Sequence, residues 1–285
     1  MAMLPRHIPR SYQPRANYSL HAVSPSPVTM NVSRYWNIVL YRALAGIKAE
    51  SRQNYLGYAW YLLEPALTAT IFYFAFSGLM GRGLDTVMFL LVGLTAWQWY
   101  EGSTLAAAGA IKAKLHILQH FDLPKFLFPL VTVLVGTWKS LCIGLVIIIG
   151  YLAVGKNHWP AWSFLWLPLV FGCQLLLIIS LAIPLSIAAT YVNDTLTFAA
   201  SVFRVLYFLS GIFFSSSIVP PALLGAFYAN PMAGLIEAYR AVLIERQTPN
   251  LHALLYAVLV GGVQLGLGLL LSVRVNRRIL KHVSL

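Results

Sequence analysis

Acidic residues are scarce in this 285-residue chain: eight Asp and Glu, against twenty Lys and Arg. Charged residues make up 10% of the chain, where a soluble domain carries roughly a quarter. A soluble globular fold is therefore excluded. So few carboxylates, scattered as they are, also argue against an intramembrane glycan or acyl transferase, which needs a cluster of acid, base or nucleophile. Two cysteines, Cys142 and Cys173, are all there are. Both fall inside apolar runs, where a free thiol packs as a small hydrophobe, so neither a disulfide nor a thiolate metal site is expected. No internal repeat is visible, which weighs against secondary transporters built from inverted repeats. The first thirty residues lack the apolar core of a secretory signal. They hold five prolines and three arginines and read as a disordered cytoplasmic tail. Domain organisation is then simple: a tail over 1–30 and one membrane domain over 31–285.

What the chain has in abundance is apolar sequence, 59% of it. Runs long enough to cross a bilayer predict an all-α membrane protein with six spans: about 62–80, 87–107, 126–154, 164–189, 198–219 and 254–273. Residues 32–50 differ. Trp36, Val39, Leu40, Leu44 and Ile47 recur at helical spacing, while Arg34, Asn37, Arg42 and Lys48 fall mostly on other faces. That pattern, with Arg52 just beyond it, predicts an amphipathic helix in the membrane interface. Fourteen Lys and Arg lie in the tail, the interfacial helix, the 108–125 loop and the C-terminus; Arg82, Lys156, Arg240 and Arg246 lie in the segments between. Positive residues stay inside, so both termini are expected in the cytoplasm and the 220–250 segment outside. The net charge of +12 belongs to this topology signal rather than to nucleic-acid binding.

The fifth span, rich in aromatics, breaks at Pro220-Pro221 and again at Asn230-Pro231 before an amphipathic run to Arg246. Two short re-entrant or interfacial helices are expected there. Backbone of that kind survives at depth where protein or a water-filled cavity satisfies it. Asn230 suits a cap and Pro231 the first helical position. Glu237 and Arg240, three apart, can pair. With Tyr239 they mark either a surface helix or a lid at an outer mouth.

Several features invite a chemical reading. Gly150-Tyr-Leu-Ala-Val-Gly155-Lys156-Asn157 resembles a phosphate-binding loop, but Asn stands where Ser or Thr is needed for magnesium, so no nucleotide site is assigned and no cofactor is expected in this chain. His116, His120 and Asp122 have metal-like spacing, yet in a basic loop they fit a partner-facing patch better. Glu101, Lys139 and Arg204 sit within expected spans, where charge is costly and either pairs or faces a cavity. Phe203, Tyr207 and Phe214, with Ser210 between, form an aromatic stripe that either packs or lines a conduit for sugars. Thr70, Tyr73 and Ser77 make a weaker polar stripe on the first span.

Taken in order, these stretches carry a resemblance. The interfacial helix is followed by Tyr55-Leu-Gly-Tyr-Ala-Trp-Tyr-Leu-Leu-Glu-Pro65, then by Phe121-Asp-Leu-Pro-Lys-Phe-Leu-Phe-Pro129, Tyr191-Val-Asn-Asp194, Tyr207-Phe-Leu-Ser-Gly-Ile-Phe-Phe214 and Asn230-Pro-Met with Tyr239-Arg240. The chain resembles the permease subunits of type-2 ABC transporters that export polysaccharides: O-antigen, capsule and teichoic acid. Two departures stand out: Asn193 where an Arg is common, and Gly211 where a Pro often follows the serine. The resemblance implies a homodimer in the bacterial inner membrane, with two separate ATPase subunits that bind ATP and magnesium. It implies a lipid-linked glycan of the undecaprenyl type as substrate, and a channel lined by the first and fifth spans, hence Phe72, Tyr73, Ser77, Phe203, Tyr207, Ser210 and Phe214. Lys112, Lys114, His116, His120 and Asp122 would receive the ATPase stroke. Arg34, Trp36, Arg42, Lys48 and Arg52 would meet lipid or substrate headgroups. Export of a drug or another lipid is the alternative within the same family.

Overall fold

The computed structural model describes residues 32–53, 84–114, 124–154 and 162–275, with Ala59, Leu63, 66–68, Thr70, Ile71 and 73–75 from the intervening stretch. No strand occurs among the described residues. Among the described residues nine helices follow in order: α1 Val32–Gln53, α2 Leu84–Ala108, α3 Ala110–Ala113, α4 Leu127–Val154, α5 Leu167–Tyr191, α6 Thr195–Leu209, α7 Leu224–Ala229, α8 Pro231–Leu243 and α9 Leu251–Val275. Short 3₁₀ turns precede α5 and lie between α6 and α7.

Three stretches among the described residues are long and apolar enough to cross a membrane: Leu127–Leu152, Trp162–Tyr191 and Leu251–Leu271. They lie where the third, fourth and sixth spans are expected. Much of the first expected span, including Phe72 and Ser77, lies outside the described residues, as do the tail, His116, His120 and Asp122.

α2 is as long as α5, 25 residues each, but it sits at the centre. Trp97, Trp99, Tyr100 and Ala107 are buried in one core with Leu177, Ile178 and Ala182 of α5 and Met232, Leu235 and Ile236 of α8. α5 and α9 make the most extensive helix pair. Their approach depends on glycine. A Cβ at Gly268 would lie 2.8 Å from Cδ of Pro184, the proline inside α5, and one at Gly261 would lie 3.3 Å from Leu176. Gly262 and Gly266 face open space. Small residues let helices close where lipid supplies no hydrophobic drive.

α1 packs on α4 through Val39 and Ala43, which are buried, and Gly46, whose Cβ would meet Val135 at 3.1 Å. Its apolar set is therefore split: Val39 turns to the protein while Trp36, Leu40 and Leu44 remain exposed. Arg42 and Lys48 are exposed too. Arg34 and Arg52 belong to α1, with side chains outside the described part.

The largest difference from the sequence reading concerns the fifth span. Residues 198–219 are expected to form one crossing, but α6 ends at Leu209 after 15 residues, about 22 Å at 1.5 Å per residue. Gly211 then takes φ of +72°, a backbone conformation that L side chains rarely adopt. A Cβ there would also strike the Phe227 ring at 2.8 Å. The chain turns back at this point instead of continuing outward. α8 differs from the surface-helix reading as well. Ten of its thirteen residues are buried.

Candidate functional site

The turn after α6 leaves backbone carbonyls without helical partners, and one side chain collects them. Arg240 of α8 donates from Nη1 to Gly211 O at 2.7 Å and to Phe214 O at 3.4 Å, and from Nη2 to Ile212 O at 2.7 Å. Nε and Nη2 both reach Phe89 O in α2, at 3.2 and 3.1 Å, and the guanidinium carbon lies 3.4 Å from the Phe89 ring centroid. A planar fork with five donors suits this task better than a point charge. Burial pushes the Arg240 pKa down to about 10, with Glu237 and Glu245 pulling the other way, so the group stays charged at neutral pH.

Glu237 does not pair with Arg240 as the three-residue spacing suggests. Its carboxylate accepts from Ser216 N at 3.0 Å and from the Tyr228 hydroxyl at 2.7 Å. The two residues divide the broken segment between them, the guanidinium serving its carbonyls and the carboxylate its donors. Asn230 caps α8 as its sequence predicts, its Oδ1 accepting from Met232 N at 3.1 Å. Its Nδ2 also donates to Ser210 Oγ at 2.7 Å, and Ser210 in turn donates to Leu206 O at 2.5 Å. Pro231 opens α8, and Tyr239 is buried on the side facing the core, where desolvation raises its pKa.

The aromatic stripe on α6 has two sides. Phe203 is buried against Tyr100 and Trp97, with centroids at 5.3 and 6.1 Å. Tyr207 is half-buried, 6.2 Å from Trp97, and Ser210 is buried. Phe214 sits 5.8 Å from Phe227. These residues hold α6 to its neighbours. Its open side carries Phe198, Val202, Val205, Phe208 and Leu209, and stacked against Phe208 is Phe213. All four residues of the sequence stripe, Phe203, Tyr207, Ser210 and Phe214, thus fall on the packed side. Tyr73, on the described part of the first span, is exposed.

The three charges expected within spans sit on three helices, α2, α4 and α6. Trp97 Nε1 donates to Glu101 at 2.8 Å, one turn earlier on the same helix. Arg204 is exposed on α6. Lys139 borders a cavity of about 490 Å³ between α2 and α4, together with Thr95, Gln98 and Ser103.

At the other end of the bundle, Lys112 of α3 donates to Asn193 Oδ1 at 2.7 Å across the α5–α6 turn. Lys114 is exposed beside it. Asn193 is the departure from the resembled pattern. An arginine there would carry no acceptor for Lys112; the asparagine provides one. Sequence reasoning placed Lys112 in the coupling loop but had no signal for this partner eighty-one residues away.

A family model described as ABC-2 type transporter matches residues 43–244. Over 196 residues the chain is 26% identical to a protein of Klebsiella pneumoniae called "O-antigen export system permease protein RfbA", covering 68% of this chain and 75% of that one. It is 23% identical over 213 residues to a Myxococcus xanthus protein of the same name, covering 73% and 81%. The match runs from within α1 to the end of α8, so it includes the Lys112–Asn193 contact and the Arg240 cluster.

Proposed function

This chain belongs to the ABC-2 type transporter family, and from that premise we propose that it is the permease subunit of an exporter for a lipid-linked polysaccharide of the O-antigen type. The observation that carries the reading is the similarity to O-antigen export permeases over about three-quarters of their length, together with three apolar helices able to cross a membrane. Two copies pair in the inner membrane with both termini in the cytoplasm. Two separate ATPase subunits supply the energy, and an undecaprenyl-type carrier brings the glycan.

Within that reading the parts take distinct tasks. Lys114, exposed at α3, meets the ATPase. Lys112 passes the displacement to the α5–α6 turn through Asn193, so that a push at α3 moves α6. The open side of α6, with Phe208 and Phe213, faces the pathway with Tyr73, Phe72 and Ser77 of the first span, while Phe203, Tyr207, Ser210 and Phe214 position that helix from behind. The residues of α1, Trp36, Arg42 and Lys48 with Arg34 and Arg52, receive anionic headgroups at the cytoplasmic surface. His116, His120 and Asp122 belong to the same docking surface as Lys114. Glu101, Lys139 and Arg204 hold helices in register.

The test is ATP hydrolysis in lipid, measured for the chain alone, with its ATPase partner, and with lipid-linked glycan added. Hydrolysis in the mixture that changes on glycan addition is the expected result. An ATPase subunit that fails to bind this chain overturns the proposal. Binding without any response to glycan overturns the substrate assignment alone.

A further inference from the structure

Two cavities lie side by side around the start of α9, sharing Gly234, Asn250 and Ala253 in their walls. The first, of about 480 Å³, is bordered by Tyr228 of α7, Tyr256 of α9, Asn250, His252 and Gly225. The second, of about 280 Å³, is bordered by Ser216, Glu237, Glu245 and Thr248. Small-ligand pockets run from about 300 to 1,000 Å³, and the pair together falls in that range.

The chemistry is uneven in an informative way. Tyr228 donates its hydroxyl to Glu237 at 2.7 Å and Tyr256 donates to Ala229 O at 3.0 Å. Both phenols are thus fixed by the protein, and both rings remain exposed. Rings held this way present rigid apolar faces at little entropic cost. Asn250 uses Oδ1 to accept from His252 N at 3.0 Å, which leaves its Nδ2 as a donor. His252 is exposed and offers a ring nitrogen. Next door, Glu237 and Glu245 border the second cavity together with Arg240, whose guanidinium is turned onto backbone carbonyls.

Gly225 supplies the remaining observation. It lies within α7, although glycine is a poor helix former, and a Cβ built on it meets nothing within 4 Å. No neighbour in the fold requires glycine there. It is exposed and borders the first cavity.

We infer that this double cavity is a glycan-binding groove for neutral pyranose sugars, with the two tyrosine rings stacking on C–H faces and Asn250, His252 and the carboxylates exchanging hydrogen bonds with hydroxyls. Uronic acids and other anionic sugars are repelled by Glu237 and Glu245. The inference rests on the polysaccharide reading above and deepens it. On the expected topology the groove lies at the outer end of the pathway, where an emerging chain would be held against slipping back.

The experiment is saturation-transfer NMR on the full chain in nanodiscs, with gluco-, galacto- and manno-configured tetrasaccharides and with tetragalacturonate as the anionic control. Transfer to at least one neutral sugar, none to tetragalacturonate, and loss of transfer in both Gly225→Leu and His252→Ala are expected. A Cβ at 225 meets nothing within 4 Å, and Gly225 and His252 are both exposed, so the melting temperature of each variant should match wild type. No transfer to any neutral sugar, equal transfer to tetragalacturonate, or transfer unchanged in both variants overturns the groove. The polysaccharide reading fails separately, when deleting the chain leaves cell-surface polysaccharide intact.

Discussion

Replacing Arg240 with Met should unfasten the turn after α6. The methionine keeps most of the apolar stem and removes every donor. Two of the bonds lost, to Gly211 O and Ile212 O, are 2.7 Å long and buried. Leaving a buried acceptor unpaired costs roughly 1–3 kcal/mol, so these two alone predict a loss of about 2–6 kcal/mol. Arg240→Lys should recover only part of it, because an ammonium cannot span the carbonyls of the turn and of α2 at once. A second perturbation reaches the same contact from α2. A Cβ at Gly93 would stand 2.7 Å from Arg240 Nη2 and 3.4 Å from Ile212 Cα. Gly93→Ala must therefore either displace the guanidinium or push the turn outward, and its effect should shrink once Arg240 is already Met. The assay is a double-mutant cycle on denaturant unfolding in detergent, with limited proteolysis reporting on the segment after Leu209. A coupling energy of at least about 0.5 kcal/mol is expected for residues in contact. Arg240→Met within error of wild type, or strict additivity with Gly93→Ala, refutes the account of Arg240 as the cap of this turn.

Breaking the Lys112–Asn193 contact should uncouple without undocking. Lys112→Met and Asn193→Leu are each expected to leave ATPase co-purification intact while lowering glycan export, whereas Lys114→Glu reduces co-purification itself. Equal loss of co-purification in all three would show that Lys112 acts only at the docking surface. On α6, Phe203→Ala should cost roughly 3–5 kcal/mol as a large-to-small core change, while Phe208→Ala leaves the melting temperature unchanged and lowers export. The reverse pattern would exchange the packed and open sides of that helix.

The long apolar helices were legible because their signal is composition over a whole span; α4, α5 and α9 lie on the runs that hydropathy marks. The cap at Asn230 and the first-position Pro231 were legible because capping is local chemistry. The end of α6 was not. Phe213, Phe214, Ile218 and Val219 carry the apolar signal past Leu209, and the turn depends on a positive φ at Gly211 and on a guanidinium twenty-nine residues away. Glu237 and Arg240 illustrate the same limit. Their spacing favoured a pair, but buried backbone groups nearby outbid a neighbour on the same helix. Nor could an aromatic count on α6 separate Phe203 from Phe208, since side-chain direction there is decided by where α2 lies. Tyr228, Asn250, His252 and Tyr256 went unnoticed because none of them belongs to a motif, and only the fold sets Tyr228 of α7 beside the start of α9.

The Arg240 cap also constrains the order of assembly. Its acceptors lie twenty-six, twenty-eight, twenty-nine and one hundred and fifty-one residues earlier in the chain. As the polypeptide leaves the ribosome, α2 and α6 are made before the donor that joins them. Until α8 emerges, the carbonyls after Leu209 must find other donors, such as water. Docking of α8 then shuts the turn and ties it to α2 in one step. Maturation of this protein is thus completed from its C-terminal third, and a nascent chain halted before Pro231 would hold its early helices without the clasp that fixes them.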